Sequence, residues 1–305
     1  MSATYPDVKH IYQNHTLDTT RWERFTPRSD DIVIATPYKS GTTWMQMIVM
    51  NLIFQDFQVR PLWEYSYWLD SRFMPLDDVI AALDQQPHRR FIKTHLPLDG
   101  LPYHPQVKYI VVGRDARDVF MSLWNHHSNF TKELHSFINT LPGRIGHPFP
   151  RCPEEIRDFW QQWMTVGWFE WETEGYPYWS NLHHVQSWWD YQHLPNLLFV
   201  HFNDLLADLP AEIQRIADFL DIALSPETLA TISAAVSFEN AKQNAEQLLP
   251  GAEQTWKGGA TTFINKGTNG RWREILTDDD LRLYETTAAR ELTPDCRRWL
   301  ENGRP

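Results

Sequence analysis

Four short apolar runs stand out along the chain, at 32–36, 91–94, 109–113 and 197–202. Each is too short for a helix and gives way to polar or charged residues, which predicts buried strands. Apolar residues at helical spacing occupy 74–83, 116–124, 211–220 and 227–236, with Pro210 and Pro226 suited to first-turn positions. Thr277 followed by Asp278, Asp279 and Asp280 predicts an N-cap and an acidic first turn. The longest apolar run, 44–54, contains Gln46 and Asn51 and predicts a buried helix, not a membrane span. Strands alternating with helices imply an α/β fold: a central parallel sheet flanked by helices, with ligands at the carboxyl ends of the strands. Segment 125–190 breaks the alternation. It is loop-rich at first (Pro142, Gly143, Gly146, Pro148, Pro150) and then carries seven of the 15 tryptophans, between Trp160 and Trp189. It reads as an insertion on one domain spanning 1–305. Trp160, Trp163 and Trp171 fall near one helical face, as core packing demands.

Composition narrows the partners. Hydrophobic content of 42% and charged content of 22% are those of a globular chain. A net charge of −11 argues against nucleic acid or an anionic membrane held by bulk charge, so an anionic ligand would need locally concentrated cations. Cys152 and Cys296 are the two cysteines and form no CxxC, which argues against a disulfide framework and fits a reducing cytoplasm. Residues 1–23 are polar and carry no apolar signal core, so no secretory leader is expected.

The chemistry concentrates where strands end. Thr36-Pro37-Tyr38-Lys39-Ser40-Gly41-Thr42-Thr43-Trp44 joins the first apolar run to the helix 44–54. A glycine-containing loop at a helix start is a phosphate cradle, because first-turn N–H groups lack intrahelical partners and the helix dipole adds positive charge. Lys39 precedes the glycine, whereas a nucleoside-triphosphate loop places its lysine after the second glycine. Lys93 and His95 end the second run; in an extended backbone they point to one face. Arg114 ends the third run, and Ser122 lies about two helical turns later. Asn265-Lys266-Gly267-Thr268-Asn269-Gly270-Arg271-Trp272 is a basic, glycine-rich loop and a second anion grip. His126-His127 and His183-His184 are adjacent pairs without metal-ligand spacing, and no metal is expected.

In this order the four motifs resemble the cytosolic-type sulfotransferases, which use 3′-phosphoadenosine 5′-phosphosulfate (PAPS). The resemblance runs from about 31 to 277, and the stretch 88–95 and the long insertion look most like bacterial members, including glycolipid sulfotransferases. It implies a P-loop-like sheet and transfer of a sulfuryl group to a hydroxyl of a small or lipid-linked acceptor. By the same resemblance Lys39, Ser40, Gly41, Thr42 and Thr43 would bind the 5′-phosphosulfate. Trp44 and Phe238 would flank the adenine. Arg114, Ser122, Lys266 and Gly267 would hold the 3′-phosphate. His95 would be the general base, titrating in a useful range, and Lys93 would steady the sulfuryl group. Departures are visible. Pro37-Tyr38 reverses the usual order, Phe202 stands where tyrosine is common, Asn265 replaces an arginine, and Arg271 replaces an aspartate. Either Arg271 partly compensates for Asn265 at the 3′-phosphate, or it is a surface residue and the phosphate rests on Arg114, Ser122 and Lys266 alone. The family's C-terminal dimer pattern is unmatched at Arg273, Thr277-Asp278 and Arg282, leaving oligomeric state open. A P-loop nucleotide phosphotransferase and a non-catalytic nucleotide sensor are the alternatives. The first lacks its lysine, and the second would have no use for both Lys39 and His95. The tryptophan-rich insertion predicts an apolar acceptor mouth lined partly between 130 and 189.

Overall fold

The structure, a computed structural model, describes residues 5–304; the first four residues of the polar start at 1–23 and the final residue lie outside the described residues. Four strands form one sheet: β1 (Ile32–Ala35), β2 (Phe91–Thr94), β3 (Lys108–Gly113) and β4 (Leu197–His201). All pairs are parallel and the order is β2-β1-β3-β4. The chain leaves β1 toward one side to make β2 and returns to the other side to make β3. The crevice between the carboxyl ends of β1 and β3 is therefore the switch point, where such sheets bind ligands.

Successive strand side chains point to opposite faces. Ile32, Ile34, Ile110, Val112 and Val200 pack on Met45, Ile48, Val49, Ile213 and Ile216. Val33, Ala35, Ile92, Tyr109 and Val111 pack on the other face with Phe120, Trp160, Trp163 and Trp188. Burial on both faces is why these strands read as continuous apolar runs without alternation.

The helices Thr42–Phe54, Leu76–Gln85, Ala116–Ser128, Leu209–Phe219 and Pro226–Ala235 stand where spacing places them, with ends shifted by a few residues. Thr277 and Asp280 form a reciprocal capping box at the helix Asp278–Glu291. Phe202 is not the end of β4 but opens the short helix Phe202–Ala207, because His201 caps that helix by accepting from the Asn203 amide.

The segment 125–190 completes the helix Ala116–Ser128 and then forms Lys132–Thr140, Ile156–Thr165 and Asn181–Trp189. Trp160, Trp163, Trp179 and Trp188 are buried in the same cluster as the strand residues. Trp171 departs from the expected face. The helix ends at Thr165 where Val166 turns extended. Trp171 is 40% exposed and stacks on Phe169 and His10. Cys152 and Cys296 are both free thiols. Among the described residues no helix is long and apolar enough to cross a membrane.

Candidate active site

Parallel strands deliver their chemistry to one edge. Thr36 follows β1, Lys93 and His95 bracket the end of β2, and Arg114 follows β3. The register pairs Ala35 with Thr94 and with Val111, so these side chains emerge together.

Gly41 is the N-cap of the helix Thr42–Phe54, at φ 114° and with no side-chain cap. That conformation is open to glycine and rarely to other residues. The first-turn amides of Thr42, Thr43 and Trp44 are thus left for a ligand. The Ser40 hydroxyl is fully buried and has no partner. A buried orphan hydroxyl beside uncapped amides fits an anion. Lys39 sits at φ 63°, a left-handed conformation uncommon outside glycine and one that clusters at binding sites. Desolvation in the cleft, with the Arg114 and Lys93 cations, lowers its pKa to about 7. Lys93 is lowered to about 8, mainly by burial and against the pull of Asp70.

His95 is held by its Nδ1, 2.8 Å from the Thr36 carbonyl oxygen and 3.1 Å from the Thr36 hydroxyl. A carbonyl only accepts, so Nδ1 carries the proton and Nε2 carries the lone pair. The Thr36 hydroxyl also lies 2.6 Å from the Thr42 hydroxyl, which joins the imidazole to the cradle. Where Thr36 donates across this link, the Thr42 O–H stays free to turn toward a ligand. Burial first, then the Lys93 and Lys39 charges, push His95 down to about 3. The ring is neutral throughout the working range instead of titrating near its ordinary value. Trp68 stands edge-on to it at 4.9 Å, and Trp179 lies at 6.1 Å.

Arg114 is tied to the late loop. It donates to Asn269 Oδ1 at 2.6 and 2.9 Å and to the Thr268 carbonyl at 3.2 Å, and its face covers Phe202 at 4.2 Å. The Gly270 amide donates to Asp118 at 2.7 Å. These contacts fold 265–271 against the end of β3. Arg271 comes close enough to depress Arg114, which burial chiefly lowers to about 10. The Arg271 Nε is buried and without a partner. Both guanidinium groups face the Asp118 carboxylate, and the orphan Arg271 donor fits a further anion there. Lys266 is exposed and Ser122 half-buried on the helix Ala116–Ser128. Lys242 bonds the Asn265 carbonyl at 2.8 Å, a cation the sequence reading missed.

Trp44 donates through Nε1 to the Val236 carbonyl at 2.8 Å and packs edge-on to Phe202. This fixes it near Phe238, which opens the helix Phe238–Gln243. Gly267 has φ 64°, and a Cβ there would lie 2.5 Å from the Phe238 ring. Contacts thus link Lys39, Thr42, Trp44, Lys93, His95, Arg114, Phe238, Gly267 and Arg271, from five separate stretches of chain, at the carboxyl ends of the strands, whereas no described contact ties Ser122 or Lys266 to them.

The sequence reading missed Trp68, Phe73 and His126. Trp68 and Phe73 come from an irregular segment with no motif. His126 belongs to an adjacent pair without metal-ligand spacing, yet its Nδ1 lies 3.3 Å from the Lys39 Nζ.

Comparison with known proteins identifies the family. Residues 29–293 match the Sulfotransferase domain family. A glycolipid sulfotransferase of Mycobacterium tuberculosis is 32% identical, over 100% of this chain and 98% of its own. Human sulfotransferase 1E1 is 30% identical, over 84% of this chain and 81% of its own. Among solved structures, retinol dehydratase in complex with androsterone and inactive cofactor PAP superposes with a TM-score of 0.70 at 24% identity, covering 90% of this chain and 84% of that one. Mouse sulfotransferase SULT7A1 complexed with PAP has a TM-score of 0.70 at 21% identity, covering 92% of both chains.

Proposed function

The chain belongs to the sulfotransferase family and is a PAPS-dependent sulfotransferase; from that premise we propose that His95 is its general base and that its acceptor is an apolar or lipid-linked hydroxyl compound. The observation that carries the reading is the chain of contacts from His95 Nδ1 through Thr36 to Thr42, which sets the base and the cradle in one frame.

PAPS supplies a sulfuryl group on a phosphate leaving group, and its transfer is an in-line displacement governed by positioning and electrostatics. Ser40 and the first-turn amides of Thr42 and Thr43 hold the 5′-phosphate. Lys39 neutralises charge on the leaving oxygen, and Lys93 steadies the equatorial oxygens. His95 Nε2 takes the acceptor's proton. Trp44 and Phe238 flank the base, while Arg114, Ser122, Lys266 and the Gly267 amide hold the 3′-phosphate. The shared core of sheet and insertion supports one catalytic domain. The free thiols support a cytoplasmic site of action.

Acceptor selection rests on an aromatic run. Trp68 abuts His95, Phe73 abuts Trp68 at 5.8 Å, and Phe137 abuts Phe73 at 6.0 Å. Phe137 and Met74 are exposed at its outer end. Such a path suits an apolar chain leading to a hydroxyl at the base. The relative named a glycolipid sulfotransferase supports a lipid-linked acceptor. Incubation with PAPS and a panel of phenols, alcohols, amines, free sugars and glycolipids, read as sulfated mass, tests both parts. A preference for free sugars would overturn the acceptor reading. Sulfation of nothing in the panel would count against the activity.

Two further outcomes are expected. An anion placed beside Lys39 and Lys93 favours their charged forms, so pKa values of about 7 and 8 rise on binding. PAP binding at pH 8 should therefore take up on the order of one proton, and affinity should fall as pH rises through 7 to 8. Calorimetry in buffers of different ionisation enthalpy measures this; proton release would contradict it. Arg271, beside Arg114 and with an orphan Nε, takes over from the arginine absent at 265. Arg271→Ala should weaken PAP binding about ten- to a hundredfold and leave adenosine 5′-phosphosulfate, which lacks the 3′-phosphate, nearly unaffected. Equal effects on both nucleotides would remove Arg271 from the 3′-phosphate.

A further inference from the structure

The Lys39 ammonium lies in a box that the family motifs do not describe. Its Nζ is 3.3 Å from His126 Nδ1 and 3.9 Å above the centre of the Phe263 ring. The Trp256 indole N–H donates to the same Nδ1 at 3.1 Å. The indole N–H only donates, so Nδ1 presents its lone pair and the His126 proton sits on Nε2. The rings of Phe130, Trp256 and Phe263 surround the imidazole at 4.8, 5.2 and 5.8 Å.

The two sides of the box come from distant stretches that are bonded to each other. Thr131 N donates to the Thr255 carbonyl at 3.0 Å, Lys257 N to Asn129 at 2.8 Å, and Asn125 Nδ2 to Thr262 at 3.0 Å. Burial first, then the Lys39 charge, keep His126 well below its ordinary pKa, so the acceptor lone pair persists. Lys39 faces Arg114 and Lys93 from the other strand ends. A long lysine stem repelled from two sides needs an acceptor to hold its ammonium in one place.

We propose that His126 is a positioning residue for Lys39: its Nδ1, backed by Trp256, and the face of Phe263 hold the ammonium beside the cradle, ready for the anionic donor. This rests on the reading of Lys39 as a contact of the donor's 5′-phosphate end. Asparagine places its Oδ1 where histidine has Nδ1, whereas glutamine reaches the Nε2 position; the two amides therefore separate an acceptor at one point from polarity in general.

PAP binding by calorimetry, which needs no acceptor, tests it in a double-mutant cycle. His126→Phe should weaken PAP about tenfold in the wild-type background and hardly at all in Lys39→Met. His126→Asn should restore most of the affinity, and His126→Gln should not. If His126→Phe melts lower, the Asn and Gln pair carries the comparison. An equal His126→Phe loss in both backgrounds, or an Asn variant no better than Gln, overturns the proposal. Lys39→Met binding PAP as the wild type does would instead overturn the Lys39 reading, and the proposal with it.

Discussion

His95→Ala is expected to lose on the order of 10²–10⁴-fold in turnover while PAP affinity stays within about threefold of the wild type. The asymmetry follows from the geometry. Nδ1 is committed to Thr36, so the only basic nitrogen is Nε2, and the proposed nucleotide grips lie on Ser40, the helix start and the late loop. The ring is neutral at any pH above about 3 in the free enzyme. The acid limb of kcat/KM should accordingly lack a step near 6.5 arising from His95. His95→Asn is the sharper variant. Its amide can still donate to the Thr36 carbonyl, which keeps the anchor, but it cannot accept a proton. Single-turnover sulfation and PAP calorimetry on both variants decide the matter. Near-full turnover in either, across pH, would mean that another group takes the proton.

Lys39→Met should lose a comparable 10²–10⁴-fold in kcat/KM, but the loss should be shared between donor affinity and turnover. The ammonium is desolvated and stands near two other cations, so an anionic donor relieves repulsion as well as gaining a contact. Charge on the leaving oxygen grows during transfer, so the contact strengthens in the transition state. Lys39→Arg keeps the charge at every pH, yet a planar fork does not reproduce an ammonium seated between an imidazole nitrogen and a ring face. It should recover binding more than turnover. A Met variant retaining half the wild-type kcat/KM would remove Lys39 from the chemistry.

The strands were legible because burial on both faces leaves an uninterrupted apolar run, and their ends were within a residue or so of 32–36, 91–94, 109–113 and 197–202. Helix starts were legible where the cap is local, as at Thr277 and Pro226. The cradle was legible for the same reason: Ser40, Gly41 and Thr42 are neighbours in sequence. His126 was not, since its partners lie 87 and 130 residues away and nothing in an adjacent histidine pair announces them. Trp68 was hidden because it reaches the site through an isolated bridge to Lys93, outside any periodic element. Trp171 misled because helical spacing continues past the point where the backbone turns extended.

The contact between Phe238 and Gly267 ties two distant positions into one inherited unit. A ring this large at 238 leaves no room for any side chain at 267, and the backbone there already takes a shape that side chains resist. Position 267 cannot gain a side chain alone, whereas 238 can shrink without any change at 267. A descendant that acquires a side chain at 267 must shrink the residue at 238 in the same lineage, and with it the wall proposed to lie beside the adenine. Among variants selected for altered donor use, any side chain at 267 should therefore come with a smaller residue at 238, whereas changes at 238 alone should be common, a pattern that sequencing would reveal.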